Sequence, residues 1–123
     1  MRLLLDSHTF LWFMVDAPKL SRVARDAIID AEDAYVSLAS IWELTIKRSL
    51  GRLELDASPV AMAVEAALGL LPIELRHFDR LEHLPPVHRD PFDRLLVAQA
   101  MEEGLVLVTA DRALQRYPVT WLW

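Results

Sequence analysis

The stretch Leu105-Val106-Leu107-Val108-Thr109-Ala110-Asp111 (LVLVTAD) gives the clearest strand signal in the chain and does most to decide the fold. Its run of apolar residues predicts a strand over 105–109 that is buried on both faces, as strands of parallel sheets are. A second run, Leu3-Leu4-Leu5, has the same character and ends directly at Asp6. Each of the two strands is therefore followed, at once or after one residue, by an aspartate.

Strand and helix signals alternate outward from these two runs along the whole chain. Gly51 and Gly104 follow two of the helical segments as C-terminal caps. The alternation predicts an α/β fold with a mainly parallel sheet and helices on both faces. The predicted strands span residues 2–5, 34–37, 71–74, 105–109 and 119–123, and the predicted helices span 7–14, 22–31, 40–50, 58–68, 76–82, 90–103 and 111–116.

The composition restricts the class of protein. With 123 residues, the chain is expected to form one domain, residues 1–123. No apolar run approaches the ~18 residues that a membrane span needs, and the apolar segment before Asp6 is too short for a secretory signal. The absence of cysteine excludes disulfides, a thiol nucleophile and cysteine metal ligands. We therefore expect a cytoplasmic protein that does not bind a membrane.

The formal net charge of −5 argues against binding to nucleic acid, because phosphate contacts favour lysine and arginine. A bound divalent cation would reverse the local field, however, and acidic ligands are needed to hold it. Basic residues near the acidic segments of the sequence would then position a phosphate backbone. These residues are Lys47, Arg48, Arg52, Arg89, Arg94 and Arg112.

Two aspartates, Asp6 and Asp111, are expected at the carboxyl edge of the sheet, where open parallel sheets bind their ligands. Asp6 and Asp111 follow predicted strands, although each is also a residue type that caps the next helix. Asp90 looks like the N-cap of the helix that Pro91 opens. Asp93 lies in the first turn of that helix and can point out of its end.

Glu43 is the fourth acid and lies in the middle of a predicted helix. It shares a stripe with Ser40 and Lys47, so the simplest interpretation is a surface ion pair between Glu43 and Lys47 worth about 0.3–0.5 kcal/mol. Mg²⁺ and Mn²⁺ prefer oxygen ligands and usually bind a few carboxylates. Spacing alone permits the four acids to meet around such an ion but does not show that they do.

Four blocks of the sequence follow one another along the chain: Leu3–Trp12 (LLLDSHTFLW), Ser40–Lys47 (SIWELTIK) followed by Leu50–Leu53 (LGRL), His88–Ala100 (HRDPFDRLLVAQA) and Leu107–Asp111 (LVTAD). In sequence and in order they resemble the blocks of PIN-domain ribonucleases, and specifically of VapC-like toxins from type II toxin–antitoxin pairs. The third block is the most specific.

The resemblance implies a five-stranded parallel sheet flanked by helices on both faces, and Mg²⁺- or Mn²⁺-dependent endonuclease action on RNA that leaves 5′-phosphate and 3′-hydroxyl ends. It places the catalytic and metal-binding acids at Asp6, Glu43, Asp93 and Asp111. Asp111 matches the family's more variable position. The resemblance also implies a homodimer that binds a small antitoxin protein, as a heterotetramer or larger complex, in which the antitoxin inserts an arginine or lysine into the acidic site.

The four histidines show no ligand pattern. We expect His8 to pack in the core or make a hydrogen bond, and His88 to belong to the loop before Asp90. A receiver-type phosphoacceptor domain would need a lysine after its fifth strand, yet no lysine follows Lys47. Two alternatives stay open: a non-catalytic binding module of the PIN fold, and an RNA-processing nuclease that is not a toxin.

Overall fold

The structure, a computed structural model, describes residues 1–123. The five strands are β1 (Arg2–Leu5), β2 (Asp33–Ser37), β3 (Gly69–Leu71), β4 (Val106–Val108) and β5 (Trp121–Leu122). The seven helices are α1 (Ser7–Met14), α2 (Arg22–Asp30), α3 (Leu38–Ser49), α4 (Pro59–Glu65), α5 (Leu75–Glu82), α6 (Pro91–Glu103) and α7 (Arg112–Gln115). No helix combines the length and the apolar character that a membrane crossing requires.

The strands form one sheet in the order β3-β2-β1-β4-β5, and every neighbouring pair is parallel. This confirms the predicted five-stranded parallel sheet. β1 is central, and Leu5 at its end is in register with Val36 of β2 and Val108 of β4. The chain winds outward from β1 in one direction through β2 and β3, and in the other through β4 and β5. The carboxyl ends of β1 and β4 therefore flank a topological switch point, where such sheets bind ligands.

The central strand is buried on both faces, as its sequence predicted. Leu3, Leu4 and Leu5 have no solvent exposure. Because successive side chains of a strand point to opposite faces, Leu4 packs with the layer that includes α6, while Leu3 and Leu5 pack with the layer that includes α1, α2 and α4. Helices thus cover both faces of the sheet, which confirms that prediction as well.

The third strand lies earlier than predicted, at Gly69–Leu71 instead of 71–74. Gly69 is paired with Tyr35, and a Cβ atom at Gly69 would lie only 2.5 Å from the ring of Tyr35, so glycine is required there. β3 is an edge strand, and its only partner, β2, ends at Ser37 opposite Leu71, so the pairing stops there. The prediction followed the apolar pattern, which does not reveal this close approach.

Several element ends also differ from the prediction by a few residues. The helix predicted over 58–68 ends at Glu65, shortly before Ala67 adopts a positive φ of 57°. The helix predicted to begin at residue 40 begins at Leu38, because the hydroxyl of Ser37 caps it by accepting a hydrogen bond from the amide of Ala39 (3.0 Å). The amide of Leu105 is bonded to the end of α6, so β4 starts one residue later than predicted.

Candidate metal centre

Asp6 is buried at the carboxyl end of β1, with 5% of its surface exposed. Its Oδ1 accepts a 2.8 Å hydrogen bond from the amide of Thr9, so Asp6 is indeed the N-cap of α1. Burial raises the pKa of Asp6 above its ordinary value, although hydrogen bonds from the side chain of Thr109 and from Thr9 partly oppose the shift. The carboxylate therefore caps a helix and is also held in a site with little water to solvate its charge.

Glu43 lies on α3 and is only 9% exposed. The Oγ of Ser7 donates a 2.7 Å hydrogen bond to its Oε1, which joins the middle of α3 to the residue after Asp6. The Nζ of Lys47 lies 3.2 Å from its Oε2, so the ion pair predicted from spacing exists. The interpretation of Glu43 as a solvated surface residue is wrong, however, because its carboxylate is turned toward the end of β1.

Asp93 lies in the first turn of α6 and is partly buried. Its pKa is raised to about 7, first by burial and then by the negative charges of Asp90, Glu43 and Asp6; His88 acts in the opposite direction. Burial and neighbouring negative charge both favour the protonated form of a carboxyl group. Asp93 is thus the point at which acids from three separate parts of the chain act on one another.

Asp90 and Asp111 both serve as helix N-caps. The Oδ1 of Asp90 accepts hydrogen bonds from the amides of Phe92 (2.9 Å) and Asp93 (3.1 Å), as expected for a cap of α6. The Oδ1 of Asp111 accepts one from the amide of Ala113 (2.9 Å) at the start of α7. Asp111 nevertheless borders the same edge as Asp6, because both line a cavity of about 260 Å³.

His88 is the residue that sequence reasoning missed. Its Nε2 lies 3.3 Å from Oδ2 of Asp93 and 3.5 Å from Oδ2 of Asp111, and the three side chains present atoms within 4.8 Å of one another. The prediction placed His88 in a loop, which is correct, but gave it no part in the site. The sequence did contain a hint of this proximity, since His88 is the first residue of the block that includes Asp90 and Asp93.

The expectation that His8 packs in the core or makes a hydrogen bond was wrong. His8 is exposed and stacks on Trp12, with ring centroids 5.6 Å apart and an interplanar angle of 15°. It lines the cavity shared by Asp6 and Asp111 without contacting either carboxylate as an ion pair. His8 therefore forms part of an aromatic wall beside the acids.

The basic residues near the acids are not equivalent. The guanidinium of Arg94 is half-buried and donates to the hydroxyl of Tyr117 (3.1 Å) and the carbonyl of Pro85 (3.0 Å), so these bonds occupy the donors that a phosphate contact would need. Arg52, Arg89 and Arg112 are exposed and form no ion pair. These three remain available to a polyanion.

The donor set fits a hard divalent cation. Asp6, Glu43 and Asp93 offer carboxylate oxygens, the ligands that Mg²⁺ and Mn²⁺ prefer. After burial, the negative charges of Asp90, Glu43 and Asp6 raise the pKa of Asp93, and His88 opposes them. A cation held between these carboxylates would remove that repulsion.

The comparisons with known proteins agree with this fold. The family model described as the PIN domain matches residues 3–119. Ribonuclease VapC22 of Mycobacterium tuberculosis is 32% identical, over 95% of each chain. The crystal structure of VapBC2 from Rickettsia felis, bound to a DNA fragment from its promoter, is similar with a TM-score of 0.75 and 13% identity, over 100% of this chain and 99% of that chain. DNA-bound VapBC from Salmonella typhimurium gives a TM-score of 0.71 and 18% identity, over 99% and 97% of the two chains. The family match over nearly the whole length, together with the parallel sheet and the acids at its switch point, shows that this chain belongs to the PIN domain family.

Proposed function

We propose that this protein is a metal-dependent endoribonuclease that hydrolyses RNA phosphodiester bonds and acts as the toxin of a toxin–antitoxin pair. One observation carries the metal-dependent chemistry: Asp6 and Glu43 are buried at the same edge of the sheet, where Ser7, directly after Asp6, bonds to Glu43. Asp93 lies near them, since burial and then the charges of Asp90, Glu43 and Asp6 raise its pKa to about 7. The identity to a ribonuclease named VapC22 supports RNA as the substrate. The proposal treats residues 1–123 as one PIN domain that works in the cytoplasm.

In this proposal Asp6, Glu43 and Asp93 hold the cation, Mg²⁺ or Mn²⁺, with Asp111 contributing at the edge. Such a cation polarises the scissile phosphate and makes an attacking water more acidic. The protein's own groups prepare the site for it. Ser7 orients Glu43 by donating to Oε1, and Thr109 orients Asp6 through its side chain.

Exposed basic residues near the acids would position the RNA backbone. Arg89 precedes the Asp90 cap of α6, and Arg112 follows the Asp111 cap of α7. Both are exposed, so they can meet phosphates that approach the acidic edge. The negative net charge of the chain then reflects the acids that hold the cation, not the surface that meets RNA.

We propose a small antitoxin and a second copy of the chain as protein partners. The support is that similar folds were solved as VapBC assemblies and that α3 carries an exposed apolar stripe. Leu38, Trp42 and Ile46 of α3 and Leu50 at its C-cap are exposed at spacings of four. The ring of Trp42 meets the ring of Phe92 edge-on at 5.0 Å. Such stripes usually mark protein contacts.

An arginine or lysine of the antitoxin would fit the negative charge around Asp93. Full inhibition by an antitoxin fragment without any basic residue at the site would contradict that last point.

The proposal is tested by RNA cleavage with the purified chain and added Mg²⁺ or Mn²⁺. We expect Asp6→Asn and Asp93→Asn to reduce cleavage by at least about 100-fold, since each removes a charged ligand while keeping the side-chain shape. Asp79→Asn, at an exposed acid of α5, is the matched control and should cleave as the wild type does. If Asp6→Asn and Asp93→Asn cleaved RNA as fast as Asp79→Asn and the wild type, the assignment would be refuted.

Two other outcomes would redirect the proposal. Mn²⁺ binding without cleavage of any RNA would indicate a binding module. Cleavage without growth arrest on induction, and without a neighbouring antitoxin reading frame, would indicate an RNA-processing nuclease. Sequencing of RNA 5′ ends after brief induction in cells would identify the substrate.

A further inference from the structure

The ring of His88 is held in one orientation by its own loop. Its Nδ1 accepts a 3.1 Å hydrogen bond from the amide of Asp90. Its backbone amide donates a 2.8 Å bond to the hydroxyl of Tyr117, which is buried and also accepts from Arg94. Both the backbone and the ring of His88 are thus hydrogen-bonded, and these bonds fix the ring relative to the acids.

The hydrogen bond at Nδ1 determines the tautomer. A nitrogen that accepts a bond from an amide cannot carry a hydrogen, so in the neutral ring the hydrogen lies on Nε2. This Nε2 faces Oδ2 of Asp93 at 3.3 Å and Oδ2 of Asp111 at 3.5 Å. A ring nitrogen that bears hydrogen has no free lone pair for a metal ion. His88 therefore presents one N–H, and no lone pair, toward the two carboxylates, at distances longer than those of ordinary hydrogen bonds.

The carboxylate oxygens of Asp93 and Asp111 differ in whether they have partners within the protein, and this difference indicates which of the two can bind a cation. Both oxygens of Asp111 have partners, since Oδ1 caps α7 and Oδ2 faces His88. Asp93 differs, because its Oδ1 accepts no hydrogen bond from the protein, and only its Oδ2 faces His88. Asp93 can thus turn one oxygen to a cation while His88 holds the other. Asp111 cannot do so without giving up its cap or its contact with the ring.

We infer that His88 is a positioning residue whose Nε2–H attracts the carboxylates of Asp93 and Asp111, so that Asp111 acts on the metal site through His88 and not as a ligand. This inference rests on the metal-binding part of the proposed function. It assigns the direct ligands to Asp6, Glu43 and Asp93. His88 itself is not a ligand, although its distances to two aspartates are typical of a metal site.

Two measurements on the full chain test the ring itself. Nitrogen-15 NMR of the metal-free protein should show His88 as the tautomer with hydrogen on Nε2. Pulsed EPR of the Mn²⁺-loaded protein should show no nitrogen bound to the ion. The opposite tautomer, or a nitrogen coupling that disappears in His88→Gln, would overturn the inference while leaving the nuclease proposal intact.

Mn²⁺ titration of variants tests the positioning role without using activity. We expect His88→Leu to weaken Mn²⁺ binding by about 10-fold, the lower end of what loss of a hydrogen-bond partner to a ligand causes. His88→Gln retains an N–H donor and should recover most of that affinity. Asp111→Asn should also weaken binding far less than Asp93→Asn. His83→Gln, at an exposed histidine that forms the C-cap of α5, is the matched control.

The possible failures are distinguishable. If His88→Leu binds Mn²⁺ as the wild type does, or if His88→Gln is no better than His88→Leu, the inference is wrong. If Asp111→Asn loses as much affinity as Asp93→Asn, Asp111 is a ligand and the inference is wrong. If the wild type binds no Mn²⁺ at all, the inference fails together with the metal-dependent function.

Discussion

The Oγ of Ser7 donates a 2.7 Å hydrogen bond to Oε1 of Glu43, across 36 positions of the chain. Ser7 is the first residue of α1, directly after Asp6, and both partners are buried. The bond brings a carboxylate from the middle of α3 to the carboxyl end of the central strand. It thereby turns a residue with the spacing of a surface ion pair into a member of the acidic cluster.

Removal of the Ser7 hydroxyl should therefore affect both stability and metal binding. We expect Ser7→Ala to lower the free energy of unfolding by about 1.5–3 kcal/mol, because a hydrogen bond to a buried charged group is lost. Mn²⁺ affinity should fall by about 10-fold as Glu43 loses its orientation. Chemical denaturation and Mn²⁺ titration measure the two effects. Ser49→Ala, which removes an exposed hydroxyl bonded to a carbonyl of its own helix, should change neither. Wild-type values for Ser7→Ala would contradict the role of this bond.

The pKa of Asp93 predicts an unusual pH dependence for the metal-free protein. Its ordinary value is 3.8 and its value in the folded chain is about 7. Between these values the folded chain binds a proton that the unfolded chain does not, so this contribution to stability is full below pH 3.8 and is lost as the pH rises through about 7. The loss is at most on the order of 4 kcal/mol. Burial raises the pKa of Asp6 in the same direction.

Denaturation at several pH values, with a chelator present, measures this effect. Asp93→Asn cannot titrate, so it should be more stable than the wild type at pH 8 and should have a flatter pH profile. Asp79→Asn should follow the wild-type profile. An unchanged profile for Asp93→Asn would show that Asp93 titrates normally and that the acids do not crowd it.

Ser37 and Gln99 form a second long-range contact that joins the helices bearing Glu43 and Asp93. Both are fully buried, and the Oγ of Ser37 donates to Oε1 of Gln99 at 2.5 Å, while Nε2 of Gln99 donates to the carbonyl of Pro72 at 3.2 Å. Gln99→Leu should cost about 1–3 kcal/mol, because it leaves buried polar groups without partners. Ser37→Ala combined with Gln99→Leu should cost less than the sum of the single changes. Additive effects in denaturation experiments would argue against a coupled pair.

The arginines near the acids should fall into two classes. We expect Arg89→Ala and Arg112→Ala to weaken RNA binding and to reduce its salt-dependence slope by about 1 each, as loss of one phosphate contact does. Arg94→Ala should instead lower stability, since its guanidinium is bonded to Tyr117 and Pro85. Binding is best measured at several salt concentrations in an Asp6→Asn background that does not cleave. An unchanged slope for both exposed arginines would exclude them from the RNA surface.

Much of the fold follows from local patterns in the sequence. The apolar runs at Leu3–Leu5 and Leu105–Val108 predicted buried strands, and the alternation of elements predicted the parallel sheet, because both depend on the period of side chains along a single segment. The sequence also placed Asp6 and Asp111 after strands, and their capping bonds confirm those local positions. Resemblance identified the family from motifs that are local as well.

Only the tertiary structure decided which of these residues meet. The strand order β3-β2-β1-β4-β5 places the ends of β1 and β4 side by side, although a hundred residues separate them along the chain. Glu43 faces inward, His88 reaches two aspartates and the guanidinium of Arg94 is occupied because of partners that lie far away in sequence. The period of a helix or strand tells which residues share a face. Which neighbour covers that face depends on long-range packing, and a single sequence does not show it.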